Sequence, residues 1–293
     1  MSEFIIKFWG VRGSYPVCGS EFQKYGGNTT CISMEIGKKL LIFDAGTGII
    51  KLGKEIIKDK ERKDINLFFT HTHNDHIQGI MFFEPIYLSK YKLNIYGAEL
   101  LNEGIEERVK KYMSHNYFPI KFEESGSVKR IENIREENII ILNENKNKIV
   151  NSSQITENKD ENSIVIKIMH AVNHPVGGVT VYRVEYKGKS VVFATDIEGY
   201  YEGDLKLINF AKNADVLIHD CAYLNEEYEK KQGWGHSIPK MAAVNAKMAG
   251  VKKLIITHHS PEETEEKSEK KLAQSKEIFN ETVLACEKME ITL

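Results

Sequence analysis

Cysteine is scarce and scattered in this 293-residue chain: Cys18, Cys31, Cys221 and Cys286 are the four, and no two form a CxxC pair. Neither a disulfide framework nor a thiolate zinc site is therefore indicated. No apolar run approaches membrane-spanning length, and Phe4-Ile5-Ile6 opens a strand pattern without the basic and long apolar regions of an export signal. A cytoplasmic location is the expectation. Charge of one sign is also missing, since 40 basic residues face 42 acidic ones for a formal net charge of −2. With no global cationic field, a small ligand is expected and a long nucleic acid is not. What remains is a chain with 41% hydrophobic residues, enough to bury a full core as one domain over 1–293.

Apolar patterning divides the chain into alternating elements. Strands are expected at Phe4 to Trp9, Thr29 to Ile36, Lys39 to Phe43 and Ile65 to Phe69, with a helix from Ile49 to Lys58. After Ser163 strands return at Ile164 to His170, Val179 to Tyr186, Ser190 to Thr195, Val216 to His219 and Lys253 to Thr257. Helices fit Glu226 to Lys231, Pro239 to Gly250 and Ser268 to Met289, the last on apolar positions three and four apart. The alternation predicts an α/β fold, a mixed sheet covered by helices. The stretch from about 100 to 162 reads as an inserted helical and hairpin segment, its polar part from Asn143 to Asn162 forming a solvated loop or a flap.

The densest chemistry lies in Thr70-His71-Thr72-His73-Asn74-Asp75-His76, directly after the apolar run Ile65 to Phe69. Three imidazoles and a carboxylate in one tight turn can serve two cations, His71 and His73 turning to one, Asp75 and His76 to the other. A nitrogen and oxygen donor set without thiolate suits Zn²⁺, Mn²⁺ or Fe and leaves positions open for water. The second half offers further ligands where apolar, β-branched runs end: His174 in Asn173-His174-Pro175, Asp196 after Val191 to Thr195, and His258 after Leu254 to Thr257. Strands that end in this way carry their last residues to one rim of a sheet, where α/β folds place their sites.

HxHxDH, then a lone His, a strand-ending Asp and a strand-ending His together resemble the phosphodiesterase branch of the metallo-β-lactamase fold superfamily. Phe8 to Ser14, Tyr25 to Cys31 and Phe43-Asp44-Ala45-Gly46-Thr47-Gly48 resemble the opening signatures of its cyclic-nucleotide phosphodiesterase-like subgroup. The resemblance implies a four-layer αβ/βα sandwich. It implies that His71, His73 and His174 hold one metal, that Asp75, His76 and His258 hold the other, and that Asp196 bridges them. His259 competes for the last ligand position, but the residue directly after Thr257 matches the motif better. By the same resemblance Asp44 orients a ligand histidine. Gly233-Trp234-Gly235-His236-Ser237 resembles the extra histidine motif of tRNase Z and of cyclic phosphodiesterases, with Asp220 as the partner of His236.

The function so implied is two-metal hydrolysis of a small cyclic phosphodiester, a 3′,5′-cyclic nucleotide to its 5′-monophosphate, with Asp75 and His236 catalytic and His236 protonating the leaving alcohol. Zinc is the cofactor expected, with manganese or iron as alternatives. Alternative readings are a tRNase Z-like endoribonuclease, a hydrolase of a cyclic ribose phosphate or cyclic dinucleotide, and, from another class, a non-catalytic cyclic-nucleotide sensor. A homodimer is expected, with no membrane partner. Tyr117 and Phe118 are candidates for lining the substrate pocket, whereas His115, His170 and His219 read as core or surface residues.

Overall fold

The computed structural model describes residues 4–143, 146–154 and 162–293. The expected polar loop from Asn143 to Asn162 falls partly on 144–145 and 155–161, outside the described residues. Among the described residues no helix is long and apolar enough to cross a membrane. Two compact units emerge: Met1–Val17, Gly26–Arg135 and Glu287–Thr292 form the first, Cys18–Tyr25 and Glu136–Cys286 the second.

The first unit is a mixed sheet built from β1 (Phe4–Gly10), β2 (Cys31–Ile36), β3 (Lys39–Phe43), β4 (Asp64–Phe68), β5 (Lys92–Ala98) and β6 (Val128–Ile134). Antiparallel pairing joins β1, β2 and β3; parallel pairing joins β3 to β6. Helix α1 (Gly48–Lys58) crosses from β3 to β4 and buries Ile49, Leu52 and Ile56, the period that places all three on one face. They pack with Ile42, Leu67 and Ile95 from the sheet, each such side chain stabilising the unit by about 1.5–3 kcal/mol when withdrawn from water. Phe43, Phe68 and Tyr96 stack in series, with ring centroids 5.1 and 4.7 Å apart. Register brings Phe43 beside Phe68, so Asp44 and the loop after β4 leave the sheet at the same rim. The short helix α2 (Asn74–Ile77) lies in that loop, and α3 (Ile105–Tyr112) follows β5.

The second unit orders its strands differently. Strands β7 (Asn138–Leu142) and β8 (Asn147–Asn151) form a hairpin that extends the antiparallel run of β9 (Ile164–Ala171), β10 (Val179–Tyr186) and β11 (Lys189–Ala194). Parallel pairing then carries β11 to β12 (Val216–Asp220), β13 (Lys253–Thr257) and β14 (Thr282–Leu284). Strands β11 to β13 are almost wholly buried apolar runs, as parallel strands covered on both faces require. Helix α4 (Leu205–Phe210) connects β11 to β12. Helix α5 (Pro239–Ala249) starts at a proline, stops at a left-handed Gly250, and sets Ala242, Ala243 and Ala246 in the core with Leu217 and Leu254. Small side chains there let the helix sit close to the sheet.

One expected element is cut short. The helix read from Ser268 to Met289 is α6 (Glu265–Lys276), begun by the Thr264 side chain, and the chain beyond forms β14 and then β15 (Glu290–Thr292), which pairs with β1. Thr282 and Val283 are β-branched and fit a half-buried strand better than a helix. Tertiary pairing overrides the apolar spacing there. The stretch Glu226 to Lys231 is likewise a 3₁₀ turn, Asn225–Lys230.

Candidate metal centre

In the first unit Asp44 closes β3 with a φ of 62°, a left-handed conformation uncommon outside glycine. Its fully buried carboxylate is the hub of the loop after β4. Oδ1 accepts from the Thr70 backbone N–H at 2.8 Å, and Oδ2 accepts from Thr70 Oγ1 at 2.9 Å and from His76 Nδ1 at 2.9 Å. Burial pushes the Asp44 carboxyl pKa up, opposed by the His76 ring and the Thr70 donors. Donation from Nδ1 fixes the His76 tautomer, so Nε2 carries the lone pair that a metal needs. That Nε2 lies 3.2 Å from Asp75 Oδ2. The Asp75 carboxylate is itself oriented by the backbone N–H of Ser14, 2.8 Å from Oδ2.

The His71 ring centroid is 4.4 Å from that of His73 and 4.3 Å from that of His76, so the three imidazoles of the motif converge. Tight glycine packing makes the turn possible: a Cβ on Gly46 would stand 2.4 Å from the Asp75 carbonyl oxygen, and one on Gly79 would stand 2.1 Å from the Gly46 carbonyl. Helix α3, from the stretch read as an insertion, adds two ties. Arg108 Nη1 donates to Thr72 Oγ1 at 3.1 Å and Tyr112 to Asn74 Oδ1 at 2.9 Å.

In the second unit the ends of β11, β12 and β13 lie side by side, which brings Asp196, Asp220 and His258 to one rim. Asp196 and His258 adopt φ values of 57° and 61°, the same strained turn as Asp44. One oxygen of Asp196, Oδ1, faces two imidazoles: His258 Nε2 at 3.2 Å and His174 Nε2 at 3.8 Å. Ligand atoms of Asp196, Asp220, His236 and His258 all fall within 4.8 Å of one another. Two buried carboxylates among imidazoles form a donor set that a divalent cation fits, since burying them without positive charge is costly.

Each imidazole is held from behind. His174 Nδ1 donates to the Gly235 carbonyl at 2.9 Å, and burial lowers the His174 pKa, which keeps the ring neutral and able to ligate. Asp220 accepts from His236 Nδ1 at 2.9 Å and from the Ser237 and Asp196 backbone N–H groups at 2.8 and 3.2 Å, and its Oδ2 is 3.4 Å from His258 Nδ1. The His236 ring stacks on His258 with centroids 4.8 Å apart. His259 turns elsewhere: its Nε2 donates to the Ala285 carbonyl at 2.9 Å and its Nδ1 lies 3.6 Å from the Glu263 carboxylate.

Glu198, which nothing in the sequence singles out, anchors the loop beneath His174 and His236. Its carboxylate accepts from the Gly233 and Gly235 N–H groups at 2.7 and 2.8 Å and from Tyr228 Oη at 2.7 Å. Gly235, at φ 86°, cannot be replaced without strain, because a Cβ there would lie 2.3 Å from His174 Nδ1. Glu198→Ala is expected to weaken metal binding about 10–100-fold, the range for residues that orient ligands, with a far-UV spectrum like that of the parent. Metal titration by calorimetry checks this; unchanged affinity would deny Glu198 that role.

Tyr117 and Phe118 are not gathered into either cluster by any contact described. Tyr117 is 75% exposed, while Phe118 packs against Phe82 and Tyr87 at the edge of the first core. His219 is buried and bonded to the Asp220 carbonyl and to Asn245, as a core histidine would be.

Comparison with known proteins places this geometry in a family. The sequence profile of the beta-lactamase superfamily domain matches residues 40–259. A curated relative, ribonuclease Z of Prochlorococcus marinus subsp. pastoris, is 27% identical over 88% of this chain and 92% of its own length. Among solved structures, the metallo-β-lactamase fold protein YhfI of Bacillus subtilis superposes with a TM-score of 0.71 at 19% identity, covering 100% of both chains. Human tRNase Z, short form, superposes with a TM-score of 0.65 at 19% identity over 98% of each. These likenesses establish the fold class expected from the sequence. They also correct one expectation: a small cyclic nucleotide to the exclusion of any long nucleic acid does not stand beside a relative named as a ribonuclease. A net charge of −2 averages over the surface and is silent on local recognition. With its profile match across three-quarters of the residues, its two mixed sheets and its His and Asp clusters at the strand ends, the chain belongs to the metallo-β-lactamase superfamily.

Proposed function

We propose that the protein is a metal-dependent phosphodiesterase of the ribonuclease Z type, an endoribonuclease that hydrolyses a phosphodiester in RNA. The observation that carries this reading is the pair of strand-end clusters, each of imidazole and carboxylate donors held from behind by a buried aspartate, in a chain whose curated relative is a ribonuclease. Under this proposal His71, His73 and His174 hold one divalent cation, Asp75, His76 and His258 the other, and Asp196 is shared. The two Nε2 atoms facing a single Asp196 oxygen support the shared role.

Two bound divalent cations would supply a nucleophile from water at neutral pH and neutralise phosphate charge. Asp44 keeps the ligand imidazole of His76 in the required tautomer and orientation, and Asp220 lies behind both the ligand His258 and His236. His236 donates the proton to the departing ribose oxygen, and Asp220, at its Nδ1, stabilises the imidazolium before that transfer. In-line displacement by water leaves a 3′-hydroxyl and a 5′-phosphate. Zinc is the cation proposed, with manganese and iron compatible with the same donors.

A second reading, a small diester such as a 3′,5′-cyclic nucleotide, is favoured by one observation. Between His174 and Asp196 the chain has only the β10–β11 hairpin, turned at Lys187 and Gly188, a span too short to add an arm that would grip a long RNA. The test sets both substrates side by side: the metal-loaded protein is incubated with a tRNA precursor bearing a 3′ extension and with the four 3′,5′-cyclic nucleotides. Cut RNA with a 3′-hydroxyl is the expected product. Turnover of cyclic nucleotides alone would transfer the assignment to the second reading.

A further inference from the structure

Beside His236 the second unit exposes aromatic rings that the hydrolytic site does not use. Trp234 is 55% exposed, Tyr200 58% and Tyr201 42%. Trp234 and Tyr201 belong to one contact network. Tyr223 meets Trp234 edge to face at 6.4 Å between centroids and meets His236 in the same way at 5.9 Å. Tyr201 meets Tyr228 edge to face at 5.5 Å, and Tyr228 donates to the same Glu198 carboxylate that holds the Gly233 and Gly235 N–H groups on either side of Trp234.

Scattered exposed aromatics need no explanation, but a linked patch of them does. The main chain that carries Trp234 is held in place, since both flanking glycines keep φ values above 80° and both of their N–H groups are bonded to Glu198. Cations accompany the rings: Lys231 Nζ lies 4.2 Å from the Trp234 ring centroid and Lys240 Nζ lies 5.0 Å from that of Tyr201. Exposed aromatic rings accompanied by ammonium groups are the chemistry of single-stranded nucleic acid binding, in which bases stack and phosphates pair.

We infer that Trp234 and Tyr201, with Lys231 and Lys240, form a base-stacking platform that receives the unpaired bases of an RNA strand next to the scissile phosphate. The inference rests on the ribonuclease reading for its substrate. It goes beyond that reading by assigning the bases, and not only the phosphodiester, to a set of residues. Stacking is tolerant of base identity because every base has a π-face, so the platform selects single-stranded character over sequence. A duplex cannot offer its stacked bases to it.

Binding is measured with chelator present, so that no turnover intervenes. A fluorescently labelled single-stranded oligoribonucleotide and an abasic oligomer of equal length are titrated with the wild type and with Trp234→Ala, followed by anisotropy. The chain has two tryptophans, so in a Trp9→Phe background Trp234 alone reports stacking by quenching. The expected result is quenching by the base-bearing strand only, and an affinity loss of about tenfold in Trp234→Ala for that strand, with the melting temperature kept. Equal binding of the abasic oligomer, or undiminished binding by Trp234→Ala, would overturn the platform, and it would do so while RNA cleavage by the wild type still upheld the ribonuclease reading. Base-dependent quenching without any RNA cleavage would uphold the platform and remove the catalytic assignment. Self-association of the wild type that Trp234→Ala abolishes, without RNA binding, would give the patch to a second copy of the chain and overturn the proposal.

Discussion

Asp75→Ala is expected to leave a folded protein whose phosphodiesterase activity is lower by about 10²–10⁴-fold, the scale on which enzymes lose a directly acting acid–base or electrostatic group. The side chain is buried against His76 Nε2 at 3.2 Å and held by the Ser14 N–H, so its removal deletes a donor from the cluster without exposing a core. Packing in the first unit rests on the strands and on α1, whose apolar face lies apart from this carboxylate. The thermal transition without metal should therefore move little, while the stabilisation that added metal confers on the wild type should shrink. Turnover close to that of the wild type would remove Asp75 from the site.

His236→Ala is the second large effect, and its signature differs. In the proposed role of proton donor to the leaving oxygen, His236 should account for about 10²–10⁴-fold in turnover. The loss should be smaller for a substrate with a good leaving group, such as bis(p-nitrophenyl) phosphate, whose departing phenolate needs little protonation. Metal content should change less than activity. Asp220→Asn should act on both properties, because Asp220 sits behind His236 and is also 3.4 Å from His258 Nδ1. A His236→Ala protein that loses metal in proportion to activity would make His236 a ligand, and comparing the two substrates separates these outcomes.

Much of this site was legible because it follows a rule of strand ends. The apolar runs Val191 to Ala194 and Leu254 to Ile256 read as buried strands, and the polar residues just past their ends emerge at a rim. Asp196 and His258 were readable on that ground, whereas Asp44 and Asp220 came from the family resemblance, and register then sets Asp196, Asp220 and His258 side by side. Of the two adjacent histidines, His258 faces Asp196 Oδ1 while His259 bonds to the Ala285 carbonyl. Glu198 and Ser14 were not legible. Both act through backbone N–H groups, Glu198 as acceptor and Ser14 as donor, and no residue pattern announces such a bond.

Other expectations failed for a physical reason of their own. Between Ser268 and Met289 the apolar spacing suits a helix, but strand pairing of Thr282 to Leu284 with β13 and of Glu290 to Thr292 with β1 outweighs it. The partner expectation treated net charge as a map of the surface. A few lysines set over aromatic rings do not alter that sum, yet they sit where a nucleic acid strand could use them.

The most direct test of the two-metal account couples stoichiometry to activity. The chelator-stripped protein is titrated with Zn²⁺ or Mn²⁺ while bound metal per chain, by mass spectrometry, and hydrolysis of bis(p-nitrophenyl) phosphate are followed together. The account predicts no turnover without metal, activity that reaches its plateau as two equivalents bind, and loss of both binding and turnover in Asp196→Ala. Full activity in the stripped protein, or a plateau reached with Asp196→Ala, would contradict it.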